Sequence, residues 1–226
     1  MSWIQESAKS GAKLRKHYTM HDIEIFIKDD LPKIIDVDFV FKYIASAIPS
    51  FLLSDIDVVY IGEFEHLRKR HISAIYEDGA IYVTNEQDSE MDLIDDIIHE
   101  VAHSVEKRHV DLIYGDNGIQ NEFKSKRQKL YDVLKSKGRN PPMEMITNFS
   151  YSPTLDNYFY TEITYPVLDQ ICTFEKLFVG PYSATSVREY FASNFERYFL
   201  GENMLVRNFS PAVFFKIKAL LELEEQ

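Results

Sequence analysis

Apolar residues change their spacing several times along the chain, and each change predicts an element. Residues 21–27 alternate polar and apolar (Asp22, Ile23, Glu24, Ile25) and read as a strand. Over 36–48 the apolar positions are 37, 40, 41, 44, 47 and 48, which is helical spacing, and Pro49 stops it. Residues 57–64 (DVVYIGEF) predict a second strand. Residues 72–76 and 80–84 predict two more, joined at Glu77-Asp78-Gly79, because Asp-Gly between apolar runs signals a hairpin. Next, Met91, Ile94, Ile97, Ile98, Val101, Ala102 and Val105 predict a mostly apolar helix over 89–107, with Ser89 as N-cap and Asp92 in a capping-box-like position.

The C-terminal half reads as mostly helical. After a turn at 115–118 (GDNG), residues 120–137 predict a charged amphipathic helix with the stripe Phe123, Leu130, Val133 and Leu134 and with Gly138 as its cap. Residues 139 to about 182 hold Pro141, Pro142, Pro153, Pro166 and Pro181 and read as irregular. Their many aromatics, Tyr151, Tyr160 and Tyr165 among them, serve either as core or as the lining of a substrate cleft. A helix over 186–200 ends at Gly201, and Ser210-Pro211 opens a last one to about 224, with Pro in the first turn. Residues 1–20 read as a tail or a short amphipathic helix. The fold class expected is α+β.

Chemistry concentrates in the helix over 89–107. His99-Glu100-Val101-Ala102-His103 spells H-E-x-x-H. On a helix, residues four apart lie about 40° apart around the axis and about 6 Å along it, so the two imidazoles can share one metal ion. Glu100 points to the side, where it can reach a metal-bound water without ligating, as a zinc hydrolase requires. A third ligand is still needed. Glu189 lies on an otherwise apolar helix beside Phe191, Ala192 and Phe195, where burial is costly without a positive partner. A metal ion is one such partner; Arg188 or Arg197 is another. Around the motif, Asp95 and Asp96 can orient an imidazole or simply favour the helix dipole. Glu106 can orient His103 or pair with Lys107 or Arg108. His99 to His109 also fits the metzincin spacing H-E-x-x-H-x-x-E-x-x-H, with Glu106 where Gly is expected. Glu106 favours a continuing helix, which would aim His109 away from the other two.

Composition narrows the partners. Lys+Arg number 25 and Asp+Glu 36, a formal charge of -11, which argues against nucleic acid. The single cysteine, Cys172, permits no intrachain disulfide and sits in an apolar run as a core residue. No secretory signal and no apolar run of membrane-spanning length is visible, so a cytoplasmic or virus-associated setting is expected rather than secretion, and no membrane partner.

Over about residues 72–225 the chain resembles the catalytic domain of anthrax lethal factor and the related small Pro-Pro endopeptidases. The resemblance rests on His99-Glu100-Val101-Ala102-His103-Ser104-Val105, on the charged helix ending at Gly138, on Glu189-Tyr190-Phe191-Ala192-Ser193-Asn194-Phe195, and on the Pro-led helix from Ser210. It departs at Ala102, where the family has Gly, and at Ser193, where it has Glu. The resemblance implies a zincin-like metallopeptidase fold: a small mixed sheet whose edge strand runs over an active-site helix, with a mostly helical C-terminal half. It implies a single domain over 21–226, with an upper part of about 21–110 and a lower part of about 111–226. It implies Zn²⁺ held by His99, His103 and Glu189, Glu100 as general base, and Tyr182, seven residues before Glu189, as the oxyanion donor. The activity implied is peptide-bond hydrolysis, on a protein or peptide extended along an edge strand, here 80–84. A catalytically inactive binding or structural module, such as a viral particle protein, is the alternative of a different class.

Overall fold

The structure, a computed structural model, describes residues 16–225. It is a mixed α+β protein, mostly helical, with one small five-stranded mixed sheet. The chain divides into two compact units, Met1–Arg108 and His109–Gln226.

The first unit carries the sheet. Its strands are β1 (Lys16–Met20), β2 (Ile23–Ile27), β3 (Val58–Ile61), β4 (Ala74–Glu77) and β5 (Ala80–Val83), in the spatial order β1-β2-β3-β5-β4. The inner pairs β2–β3 and β3–β5 are parallel; the outer pairs β1–β2 and β4–β5 are antiparallel hairpins. Both hairpin turns use left-handed backbone: His21 at φ 52, and Asp78 at φ 43 with Gly79 at φ 87. Two successive positive φ values are what a two-residue turn needs to match the strand twist, so the Asp-Gly signal has a physical basis. The period of two sorts each strand. Ile25, Ile27, Val59, Ile61, Ile81 and Val83 are buried, as are Val40, Phe41 and Ile44 of helix α1 (Val37–Ala47) and Leu93, Ile94, Ile97, Ile98 and Val101 of a later helix, α3 (Glu90–Arg108). Helix α3 packs on α1, β4 and β5. Asp36 caps α1, accepting from the Phe39 amide at 3.1 Å. Ser89 Oγ accepts from the Asp92 amide at 3.2 Å at the start of α3. On alternate strand positions, His17, Phe26, Tyr60 and Tyr82 stack across the register with centroids 5.0, 5.7 and 5.3 Å apart.

Two expectations are corrected in this unit. Residues 16–20 are strand β1, where a tail or helix was expected; residues 1–15 of that expectation lie outside the described residues. Residues 80–83 are no edge strand. They lie between β3 and β4, so both sides of β5 are paired, and the edge strand of this hairpin is β4. A short helix α2 (Glu65–Arg70) was not anticipated.

The second unit is helical. It contains α4 (Val110–Tyr114), α5 (Gly118–Ser136), α6 (Glu144–Thr147), α7 (Pro153–Tyr158), α8 (Tyr165–Phe174), α9 (Val187–Phe199), α10 (Asn203–Phe209) and α11 (Pro211–Leu221). Helix α9 packs against α5, α10 and α11 and buries Tyr190, Phe191, Ala192 and Phe195; Phe123, Leu130, Phe178, Val213 and Ile217 are buried in the same unit. Gly138 at φ 74 closes α5, with the Arg139 amide donating to Leu134 O at 3.0 Å. The expectation of irregular chain over 139–182 is overturned. That stretch holds α6, α7, a π-helical turn at Phe159–Ile163 and α8, because Pro153 and Pro166 sit in first turns, where no amide is needed. Thr164, between the π turn and α8, has φ 69, a strained value for a β-branched residue. Among the described residues no helix is long and apolar enough to cross a membrane.

Candidate metal centre

His99 and His103 stand one turn apart on α3. Both are half-buried, and their rings pack edge to face with centroids 5.1 Å apart. The apolar neighbours of this helix force the arrangement. Leu93, Ile94, Ile97, Ile98, Val101 and Ala102 are buried, which fixes the helix rotation and leaves positions 99 and 103 on a shared flank. Buried Glu106, one turn on, places its carboxylate 3.3 Å from His103 Nδ1. With Nδ1 so engaged, Nε2 is the nitrogen left to face a cation.

Glu100 is 7% exposed. Its Oε2 accepts a hydrogen bond from the Tyr76 main-chain amide of β4 at 2.6 Å. The sheet register explains this contact. Thr84 donates to Ser73 O, so alternate pairs from there on are hydrogen-bonded, and Tyr76↔Ile81 is a non-bonded pair. The Tyr76 amide therefore points away from β5, off the free edge of β4, and meets the carboxylate there. The Tyr76 side chain is tied down as well, its hydroxyl donating to Asp55 O at 3.1 Å.

Glu189 lies in the first turn of α9, half-buried, with its amide donating to Ser186 Oγ at 3.1 Å. His99, His103 and Glu189 form a group able to hold a metal ion: each offers one ligand atom, and these atoms all lie within 4.8 Å of one another. Two imidazole nitrogens and one carboxylate oxygen are the donor set that Zn²⁺ accepts in hydrolases, with a coordination position to spare.

The other candidates are placed as follows. Tyr182 is exposed, on the 3₁₀ turn Tyr182–Ala184 that precedes α9. Asp95 and Asp96 are half-buried on α3, and Asp96 Oδ2 accepts from Gln87 Nε2 at 2.9 Å. Helix α3 continues past Glu106 to Arg108, and His109, which heads α4, is not in the group of three. Tyr165 donates to Asp156, and burial together with that carboxylate pushes its phenol far above the usual range; Tyr151 donates to the same carboxylate at 2.8 Å. Burial also pushes the Cys172 thiol up to about 12, which leaves it inert as a nucleophile.

Sequence reasoning missed Arg127. It is fully buried on α5, and among the described residues it bonds only to main-chain carbonyls. Its signal was present: position 127 falls four after Phe123 and three before Leu130, inside the apolar stripe. No protein-family model matches the chain, and no curated protein or solved structure matches it either.

Proposed function

We propose that the chain is a zinc-dependent metalloendopeptidase of the zincin type, similar in site to lethal factor and the Pro-Pro endopeptidases. One observation carries the reading: the ligand atoms of His99, His103 and Glu189 fall within 4.8 Å of one another. Bound there, Zn²⁺ would supply Lewis acidity and lower the pKa of water from 15.7 towards about 7. Glu100 is not a member of the ligand group. It takes the proton from the attacking water and delivers it to the leaving amine. Its second oxygen is held by the Tyr76 amide, which fixes the direction of the base. Tyr182 donates a hydrogen bond to the oxyanion of the tetrahedral state. A substrate strand laid along the β4 edge passes beside the base; the Tyr76 amide is taken by Glu100, so main-chain pairing falls to the other outward groups of that edge.

The test is metal analysis and peptide cleavage on the same purified protein. About one zinc per chain is expected after loading and dialysis. Hydrolysis of members of a diverse peptide library should follow, and Glu100→Gln should remove it. Well under half an equivalent of zinc, or cleavage unaffected by Glu100→Gln, overturns the proposal.

A further inference from the structure

Among the described residues no carboxylate bonds to Arg127. Four of its five N–H donors go to the main chain: Nε to Met145 O at 2.7 Å, Nη1 to Ala184 O at 2.6 Å and Thr185 O at 3.2 Å, and Nη2 to Asn148 O at 3.2 Å. The Phe123 ring lies 5.2 Å from the guanidinium carbon. Burying a cation this way is costly, and burial pulls its pKa down to about 10. What the contacts secure is a corner of chain. Residues 145–148 and 184–185 converge on one planar fork, and the Val187 amide donating to Phe149 O at 3.0 Å ties the same two segments together.

This corner carries two of the residues assigned above. Thr185 holds the Tyr182 carbonyl twice, through its amide at 2.9 Å and its hydroxyl at 2.8 Å. The next residue, Ser186, caps α9 and accepts from the amide of Glu189. From Arg127 the chain of bonds thus runs backward to Tyr182 and forward to Glu189. Lysine could not replace the fork, since one ammonium cannot reach carbonyls spread around a plane.

We infer that Arg127 is a positioning residue: by clamping the Ala184 and Thr185 carbonyls it sets where the Tyr182 phenol and the Glu189 carboxylate stand. This rests on the metallopeptidase reading for its consequence in zinc affinity, but the clamp itself is measurable without metal. A residue two bonds removed from a ligand commonly changes metal affinity when lost, and here one side chain governs both a ligand and the oxyanion donor.

The experiment uses the full chain as wild type, Arg127→Lys and Leu134→Ala. Leu134 is buried on the same helix two turns further on and serves as a matched loss of stability. Amide hydrogen exchange on the metal-free proteins should show peptide 182–189 exchanging about tenfold or more faster in Arg127→Lys, with 211–221 unchanged. In Leu134→Ala no such selectivity is expected. Zinc affinity, read by chelator competition, should fall by about 10- to 100-fold in Arg127→Lys only, and the visible absorption of the cobalt-loaded protein should shift. Uniform exchange, unchanged exchange, or an equal zinc loss in Leu134→Ala overturns the inference. Wild type that binds no zinc overturns the metallopeptidase reading instead, and the exchange pattern still decides the clamp. If Arg127→Lys does not fold, Thr185→Val carries the test: it removes only the hydroxyl bond to the Tyr182 carbonyl. Faster exchange at 182–189 supports the relay and an unchanged rate overturns it.

Discussion

Lys126 gives the sharpest quantitative prediction, because desolvation outweighs the polar neighbours of its ammonium. Its Nζ donates to Phe209 O and to Ser210 Oγ and lies 5.0 Å from the centre of the Tyr190 ring. Burial lowers its pKa from 10.5 to about 8, with Glu122 and Cys172 acting in the opposite sense. The difference of about 2.5 units is worth about 3 kcal/mol at 1.36 kcal/mol per unit. The sign follows from proton counting. Below pH 8 the group is charged in both folded and unfolded chains, and the full desolvation cost falls on the fold. Between 8 and 10.5 the unfolded chain holds the proton and the folded chain does not, so stability from this group rises with pH. Above 10.5 both are neutral and the cost is gone. Lys126→Met removes this titration. Tyr190 and Cys172, whose pKa values burial pushes up, titrate in both proteins and largely cancel in the difference. Urea denaturation of both proteins from about pH 7 to 10.5 should therefore show wild type gaining about 3 kcal/mol relative to Lys126→Met. A stability difference that stays flat across that range refutes the argument, and with it the view that α5 buries a cation at a real cost.

Glu100→Gln should reduce kcat at least about 10²-fold while zinc content and circular dichroism stay as in wild type, because the role proposed for the residue is to move a proton and not to ligate; retention of most of the turnover would assign the base elsewhere. Tyr182→Phe should lower kcat by about 10²-fold with KM little changed, the mark of a group that acts in the transition state. An unchanged kcat would discard Tyr182, and Tyr165, whose hydroxyl is committed to Asp156, would be a poor substitute. Glu189→Ala should strip zinc under dialysis against a weak chelator and His109→Ala should not. The opposite pattern, with both variants folded, would replace the third ligand by His109.

Much of the first unit was legible because its signals are local. Asp78-Gly79 marks a hairpin by its own backbone demands, and the apolar period of α3 is long enough to dominate any window. Strand β1 was not legible: Lys16, His17 and Thr19 are polar, and only its pairing with β2 makes it a strand. The helices α2, α4 and α10 span 6, 5 and 7 residues, too few turns for a period to declare itself. Over 139–182 the prolines misled, since a residue that breaks a helix in its middle starts one at its first turn. Strand order is a different kind of loss. That β5 inserts between β3 and β4 depends on which strands a crossover brings together, and no window of sequence contains it.

The candidate site divides the same way. His99, Glu100 and His103 fall within five residues, so helical geometry alone relates them. Glu189 is remote, and only the cost of an acid on an apolar helix singled it out; a resemblance then assigned it. Tyr182 had no physical signal in the sequence at all. Arg127 had one that went unread: a charge on the apolar stripe of α5, where an arginine, if it stays, must find several acceptors in the interior. In a helix otherwise lined by Phe123, Leu130 and Leu134, such a residue points to helix ends or turns packed against it, because the middles of helices and sheets have few carbonyls to spare. The carbonyls of residues 145, 148, 184 and 185 are such ends: the short helix α6 with its cap, and the 3₁₀ turn Tyr182–Ala184 with its cap. Two of them, at 184 and 185, lie within the segment from Tyr182 to Glu189, and the buried cation and the proposed chemistry meet there for one physical reason. The proposed ligand Glu189, in the first turn of α9, and the proposed oxyanion donor Tyr182, on a 3₁₀ turn, both follow a tight bend of chain, and such a bend needs an outside group to hold it still.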